Sequence, residues 1–129
     1  MRKTIAAVLA ALGVVSLAVA ADTLGTWQSL QDGRYKIFSG DTVAYGEAPT
    51  AKDRKLAIVV KGLGAKEIFD SIGPDARETC SSEKGDRERN KGAVQCMYTA
   101  KAANDPGKGY RCWIGVDLMN GQGIPTVSC

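Results

Sequence analysis

The chain has 129 residues, with 17 Lys+Arg against 14 Asp+Glu, four cysteines and no histidine. Without histidine there are no imidazole-based triads, no Cys-His catalysis and no imidazole metal ligands. The near-even charge also argues against a general nucleic-acid binder, which carries a strong basic excess.

Arg2 and Lys3 precede an apolar stretch, Ile5 to Val19, broken in polarity only by Ser16, and Ala18-Val19-Ala20 supplies small residues at a cleavage site. This pattern predicts a secretory signal peptide over residues 1–20, with cleavage after Ala20 or Ala21. The stretch is shorter than the roughly 18 to 20 apolar residues of a spanning helix, so no stable membrane insertion is expected after cleavage. Its short charged start and Ala-rich core have a bacterial style, which implies the periplasm or the outside. Cleavage takes Arg2 and Lys3 with it, so 17 cationic residues become 15 against 14 acidic ones. Residues 21–129 are expected to form one domain, large enough for a modest core.

Thr26 to Leu30 is expected to be a strand that turns at Asp32-Gly33 into a second strand, Tyr35 to Phe38. Ser39-Gly40-Asp41 then leads to a further strand, Thr42 to Tyr45, and a polar loop, Gly46 to Arg54. Trp27, Tyr35, Phe38 and Tyr45 suit core and cross-strand packing better than a binding surface. Lys55 to Lys61 encloses Leu56-Ala57-Ile58-Val59-Val60, the pattern of a central strand covered on both faces. Ala65, Ile68, Phe69 and Ile72 recur at helical spacing, and Gly73-Pro74 supplies the stop. That short helix needs a sheet to lie on.

The run from Glu83 to Gly92 holds two glycines and no apolar residue, and predicts a solvated loop. Ala93 to Thr99 alternates, with Val94, Cys96 and Tyr98 on one face. Residues 100–109 form a polar connection that includes the turn Asn104-Asp105-Pro106-Gly107. Tyr110 to Leu118 alternates again: Tyr110, Cys112, Ile114, Val116 and Leu118 point inward, and Arg111, Trp113, Gly115 and Asp117 outward. The fold class that follows is α+β: a small antiparallel β-meander sheet with one short helix packed on it, stapled by two disulfides.

Cys80, Cys96, Cys112 and Cys129 are expected to form two disulfides, as in other small exported domains. No C-x-x-C pair occurs, so neither a common zinc spacing nor a thioredoxin-like motif is present. No metal or cofactor is expected. Asn120-Gly121 suits a two-residue hairpin that would bring Cys112 opposite Cys129 and leave Cys80 for Cys96, the favoured pairing. The rival pairing, Cys96 with Cys112, follows if 92–100 and 109–118 form a hairpin.

No catalytic residue is expected. G-x-S-x-G, a P-loop and G-x-G-x-x-G are all absent, and pairing the cysteines leaves no thiol nucleophile. Ser81 and Lys84 spell S-x-x-K, but inside a charged loop. Glu78, Glu83, Asp86 and Glu88 are interleaved with cations that would compensate them. The function expected is therefore an exported protein-binding protein, such as an inhibitor of an envelope-degrading enzyme or an immunity protein against a toxin. Its candidate contact residues are Lys84, Arg87, Arg89 and Lys91 in the charged run, and the outward Trp113. The alternatives are a small-ligand or envelope-polysaccharide binder and a structural adaptor of an envelope complex. A small exported β-rich protein with two disulfides is similar in outline to bacterial lysozyme inhibitors, a likeness of type that assigns no residue.

Overall fold

The computed structural model describes residues 25–30, 32–102 and 107–129. The expected signal peptide and most of the 104–107 turn lie outside them. Five strands form one antiparallel sheet: β1 (Gly33–Phe38), β2 (Lys55–Lys61), β3 (Arg87–Lys91), β4 (Val94–Tyr98) and β5 (Tyr110–Asp117), in the order β1-β2-β5-β4-β3. The helix α1 (Gly62–Ser71) follows β2 directly. Two antiparallel units, β1–β2 and β3–β4–β5, meet where β5 returns alongside β2. At that junction the order departs from a simple meander.

Directly opposite residues of antiparallel strands share a face of the sheet. One face carries Ile58, Val60, Val94, Cys96, Tyr98, Tyr110, Cys112 and Ile114, and α1 lies on it with Ala65 and Phe69 fully buried. Ile68 and Ile72 pack at the margin of this core. β2 is buried from both sides, since Ala57 and Val60, on opposite faces, are each 3% exposed. The helix ends as expected near Gly73-Pro74, although Gly73 does not take the left-handed conformation and its bond to Pro74 is cis.

Three expected elements differ. Residues 26–30 are irregular, with a bend at Thr26, rather than a strand. They fold over the start of β1, where Leu30 occupies the space that a side chain at Gly33 would need. Residues 42–45 are also irregular, because their backbone groups are taken elsewhere: Val43 N donates to the Thr126 carbonyl, and Lys36 Nζ donates to the carbonyls of Val43 and Gly46. The charged run is not a solvated loop. Residues 87–91 are β3, joined to β4 by a two-residue turn with Gly92 at φ +57° in the first central position, where a II′ hairpin places glycine. A strand made only of charged and polar residues is stable here because Arg87 and Arg89 lie over the Phe69 ring, at 5.1 and 4.4 Å from its centre.

The favoured disulfide pairing is corrected. The bonds are Cys96–Cys112 and Cys80–Cys129. Cys96 and Cys112 are direct cross-strand partners in the β4–β5 register, with Cα atoms 4.1 Å apart. Cys129 cannot face Cys112, because both edges of β5 are occupied, by β2 and β4. The chain does reverse at Asn120-Gly121, but through a four-residue loop rather than the expected two-residue hairpin: Asp117 N donates to the Gln122 carbonyl and Val116 bridges Gly123, which shifts the register from the one that would set Cys112 opposite Cys129. After a single bridge to the end of β5, the chain crosses the sheet face opposite α1 instead of extending the ladder. In the loop-entropy account, closing 16 and 49 residues of sequence contributes about 3 and about 4 kcal/mol.

The crossing tail is held by three hydrogen bonds to one side chain. Gln95 Oε1 accepts from Thr126 N and Val127 N, and Gln95 Nε2 donates to the Val127 carbonyl. It also needs a strand without a side chain beneath it. A Cβ at Gly115 would lie 2.2 Å from the Ile124 carbonyl oxygen and 2.4 Å from Thr126 Cγ2. The Thr126 hydroxyl is buried without a hydrogen-bond partner among the described residues, so its methyl, packed on Gly115, dominates its placement.

Peptide mapping of the oxidised chain without reduction is expected to give Cys96 linked to Cys112 and Cys80 linked to Cys129. Gly115→Ala should lift the tail and destabilise the fold by roughly 1 to 3 kcal/mol. Urea unfolding checks this; an unchanged midpoint for Gly115→Ala would show that the tail is not seated on β5.

Candidate functional site: the Trp113 face

The sheet face opposite α1 is built from three cross-strand rows. The central row is Arg34, Val59, Trp113, Gln95 and Asn90; beside it run Lys61, Arg111, Met97 and Glu88, and on the other side Lys36, Ala57 and Gly115. Trp113 stands half-buried at the centre, outward from the helix as its place in the alternation of β5 predicts. The tail walls it on one side. Three depressions converge on its ring. One, of about 410 Å3, is bordered by Lys61, Met97, Arg111 and Lys108; one, of about 360 Å3, by Arg34, Lys36, Val43 and Val59; and a smaller one, of about 70 Å3, by Gln95, Val127 and the Cys80–Cys129 bond.

The charges of this face are mainly cationic, and its carboxylate in these rows, Glu88, is buried and bonded to Cys80 N. The Arg111 guanidinium lies 5.7 Å from the Trp113 ring centre, within cation–π range. Among the described residues, five ion pairs occur within 4.0 Å, and none involves Arg34, Lys36, Lys61 or Arg111. Lys36 spends two donors on backbone carbonyls at 3.2 Å each. Asp32 is the acidic residue at the border of the larger depression. An aromatic ring among cations whose charge is not neutralised by the protein is suited to an anionic surface.

Of the residues singled out in the sequence, Trp113 lies on this face; from the charged run Glu88 and Asn90 reach it, but Arg87 and Arg89 do not. Arg87 and Arg89 alternate onto the helix side, opposite Tyr98 and Cys96. There they are committed internally. Asp75 accepts from Arg87 Nε and Nη2 and from Arg89 Nε, and Arg89 Nη1 donates to the Phe69 carbonyl at 2.8 Å. Lys84 and Lys91 are exposed at the two ends of the run. The S-x-x-K residues form a turn: the Ser81 hydroxyl accepts from Glu83 N and hydrogen-bonds Asp86, whose carboxylate also accepts from Ala100 N. These bonds hold Asp86 below the usual carboxylate range.

The four carboxylates considered for catalysis do not converge either. Glu83 pairs with Lys101, Asp86 closes the Ser81 turn, and Glu78 is exposed. Glu88 is 6% exposed and accepts from Cys80 N at 2.7 Å. It sits beside the Cys80–Cys129 sulfurs, which are bonded to each other. Sequence reasoning missed Arg34, Lys36, Lys61 and Arg111 as a cluster. The one local signal was Arg111, which points the same way as Trp113 two residues on; the others come from β1 and β2, and only the strand register brings them together.

No protein-family model, no curated protein and no solved structure matches this chain. Its two disulfides fit an oxidising, extracellular kind of compartment. No helix among the described residues is long and apolar enough to cross a membrane.

The Asp75 clamp carries a pH signature. Hydrogen bonds from Arg87 and then Arg89 hold its carboxyl at about 2, against an ordinary value of 3.8. A depressed carboxyl stabilises the fold above the unfolded value and loses that stabilisation as pH falls through the folded one. The stability added by Asp75 should therefore be complete above about pH 4 and fade between about pH 4 and 2. Urea midpoints across that range check this: Asp75→Asn should lower the midpoint at pH 7 and flatten the acid-side slope, whereas an unaltered slope would mean that the clamp does not operate.

Proposed function

We propose that this is an exported, non-catalytic protein-binding protein that recognises an anionic surface of its partner through the Trp113 face. The observation that carries the reading is the set of Arg34, Lys36, Lys61 and Arg111 around a half-buried Trp113, with no carboxylate within ion-pair distance of any of the four among the described residues. Tryptophan and arginine are the residue types enriched at binding hot spots. The face is also pre-set. The Cys96–Cys112 bond fixes β4 to β5 beneath it, and the tail is held by Gln95 and Cys80, so little ordering cost falls on association.

The signal-peptide pattern of residues 1–20, with the disulfides, supports the periplasm or the outside as the place of action. An inhibitor or immunity protein acting on an envelope-degrading enzyme or toxin fits both the compartment and the absence of histidine and free thiols. A second reading, an anionic envelope polysaccharide, draws on the depressions of about 410 and 360 Å3 that meet at the Trp113 ring. Their shallow, open form and the exposed aromatics nearby favour a protein surface.

Affinity capture with the oxidised chain from envelope and competitor-culture extracts tests this. The expected result is one dominant protein partner, bound more weakly at high salt. Its affinity should fall at least about tenfold with Trp113→Ala or Arg111→Glu, and stay within about twofold with Lys84→Glu/Lys91→Glu. A partner lost only in the Lys84/Lys91 variant would move the site to the charged run. No protein partner, together with a Trp113 fluorescence response to acidic glycans in a Trp27→Phe background, would replace this reading with the polysaccharide one.

A further inference from the structure

We propose that the outer edge of β1 takes an extended segment of the protein partner as a sixth strand, and that this segment alternates acidic with apolar side chains. The proposal rests on the protein-binding reading above and adds where the partner's backbone sits. β1 is an end strand. Just past it, Ser39 exchanges backbone hydrogen bonds with Glu47 and closes that end of the edge, but along Gly33–Phe38 no other strand among the described residues pairs with its outer side. The other end of the sheet is different. Ala76 N donates to the Glu88 carbonyl at 2.7 Å and Cys80 N to the Glu88 carboxylate, so the chain before β3 lies along that edge.

An open row of N–H and C=O groups is a template for another strand, and folded proteins blunt such edges with proline, bulges or outward lysines. Before the Ser39–Glu47 bridge, β1 has none of these guards. It contains no proline, its six-residue register with β2 is unbroken, and its one lysine is drawn away, with Lys36 Nζ bonded to the carbonyls of Val43 and Gly46.

The two faces of β1 define what a sixth strand must offer. On the helix side, Tyr35 and Ile37 stand opposite Ile58 and Leu56, but α1 packs over β2, β5 and β4, and leaves Tyr35 75% and Ile37 42% exposed. Leu30 and Leu63, both exposed, line a neighbouring depression at the start of α1. Apolar side chains at alternate positions of an added strand would continue this surface. On the other side stand Arg34 and Lys36, at the margin of the Trp113 face. A second copy of this chain is a poor occupant. Two β1 strands joined antiparallel in one sheet would set Arg34 against Lys36, or Lys36 against itself, and like charges directly opposite destabilise a pair. Acidic side chains at those positions complement both cations. Backbone pairing gives affinity in strand addition, and the alternating side chains give the specificity.

The probe is a capped six-residue peptide alternating Glu and Val, titrated into the oxidised full chain and followed by amide NMR and hydrogen exchange. The expected result is shifts centred on residues 33–38 and slowed exchange of the outward amides. Affinity should fall at least about tenfold with Arg34→Glu, with a Lys/Val peptide, or when one edge of the peptide is N-methylated. Equal binding by a block-ordered peptide of the same composition, or by peptides N-methylated on either edge, would overturn strand addition. So would the absence of shifts in β1 at about 1 mM peptide, well above the expected Kd. A concentration-dependent dimer that protects β1 without peptide would assign the edge to a second copy. Trp113→Ala separates the two proposals. Peptide binding retained in that variant, with no partner found in extracts, removes the functional reading alone; a partner still captured while the peptide leaves β1 untouched removes the edge alone.

Discussion

β5 has a neighbour on each side, and this occupancy decides where the rest of the chain goes. With β2 along one edge and β4 along Tyr110–Ile114 of the other, the segment after Asp117 can pair only with the last residues of β5, through the Val116–Gly123 bridge. It must leave the plane of the sheet, and the side it takes is the one where Gly115 offers a strand without a side chain. From that follow the Gln95 clamp, the meeting of Cys129 with Cys80, and the half-burial of Trp113 beside the tail. The cross-strand bond between Cys96 and Cys112 holds the same strand on the helix side, where Cys112 Sγ touches the Ala65 carbonyl at 3.3 Å.

The two faces divide the charges by use. On the helix side, Arg87 and Arg89 cover Phe69 and share Asp75, so their charge is neutralised and their stems complete a small core. Phe69 also meets Tyr110 edge-on at 5.3 Å, and the result is a compact aromatic and guanidinium cluster. On the opposite face, Arg34, Lys61 and Arg111 have no such carboxylate. The same residue type is therefore structural on one side of a sheet about one residue thick and available to a partner on the other. For this reason a count of charges along the run 83–92 does not show which cations the protein neutralises internally.

The open edge of β1 and the Trp113 face are continuous through Arg34 and Lys36. A partner that added a strand at the edge would carry its neighbouring surface over the tryptophan. The stapled sheet would meet it with most of its geometry already fixed, which limits the entropy lost on association.

Much of the fold was legible in the sequence because it rests on local period. The apolar block Leu56 to Val60, the helical spacing of Ala65, Ile68, Phe69 and Ile72, and the alternation through Cys112, Ile114 and Val116 each encode an element and its buried face. The outward position of Trp113 followed from the same alternation. Strand order did not, because pairing between β2 and β5 joins residues 50 to 62 positions apart and leaves no periodic trace. The disulfide partners depended on that order. So did β3, whose stability comes from a ring on α1 rather than from apolar residues of its own. The sequence by itself determined the central strands and the helix, the number of cysteine bridges and which side of β5 each residue takes; tertiary structure alone decided β3, which cations gather around Trp113 and which edge stays open, because these are set by contacts and register between distant segments.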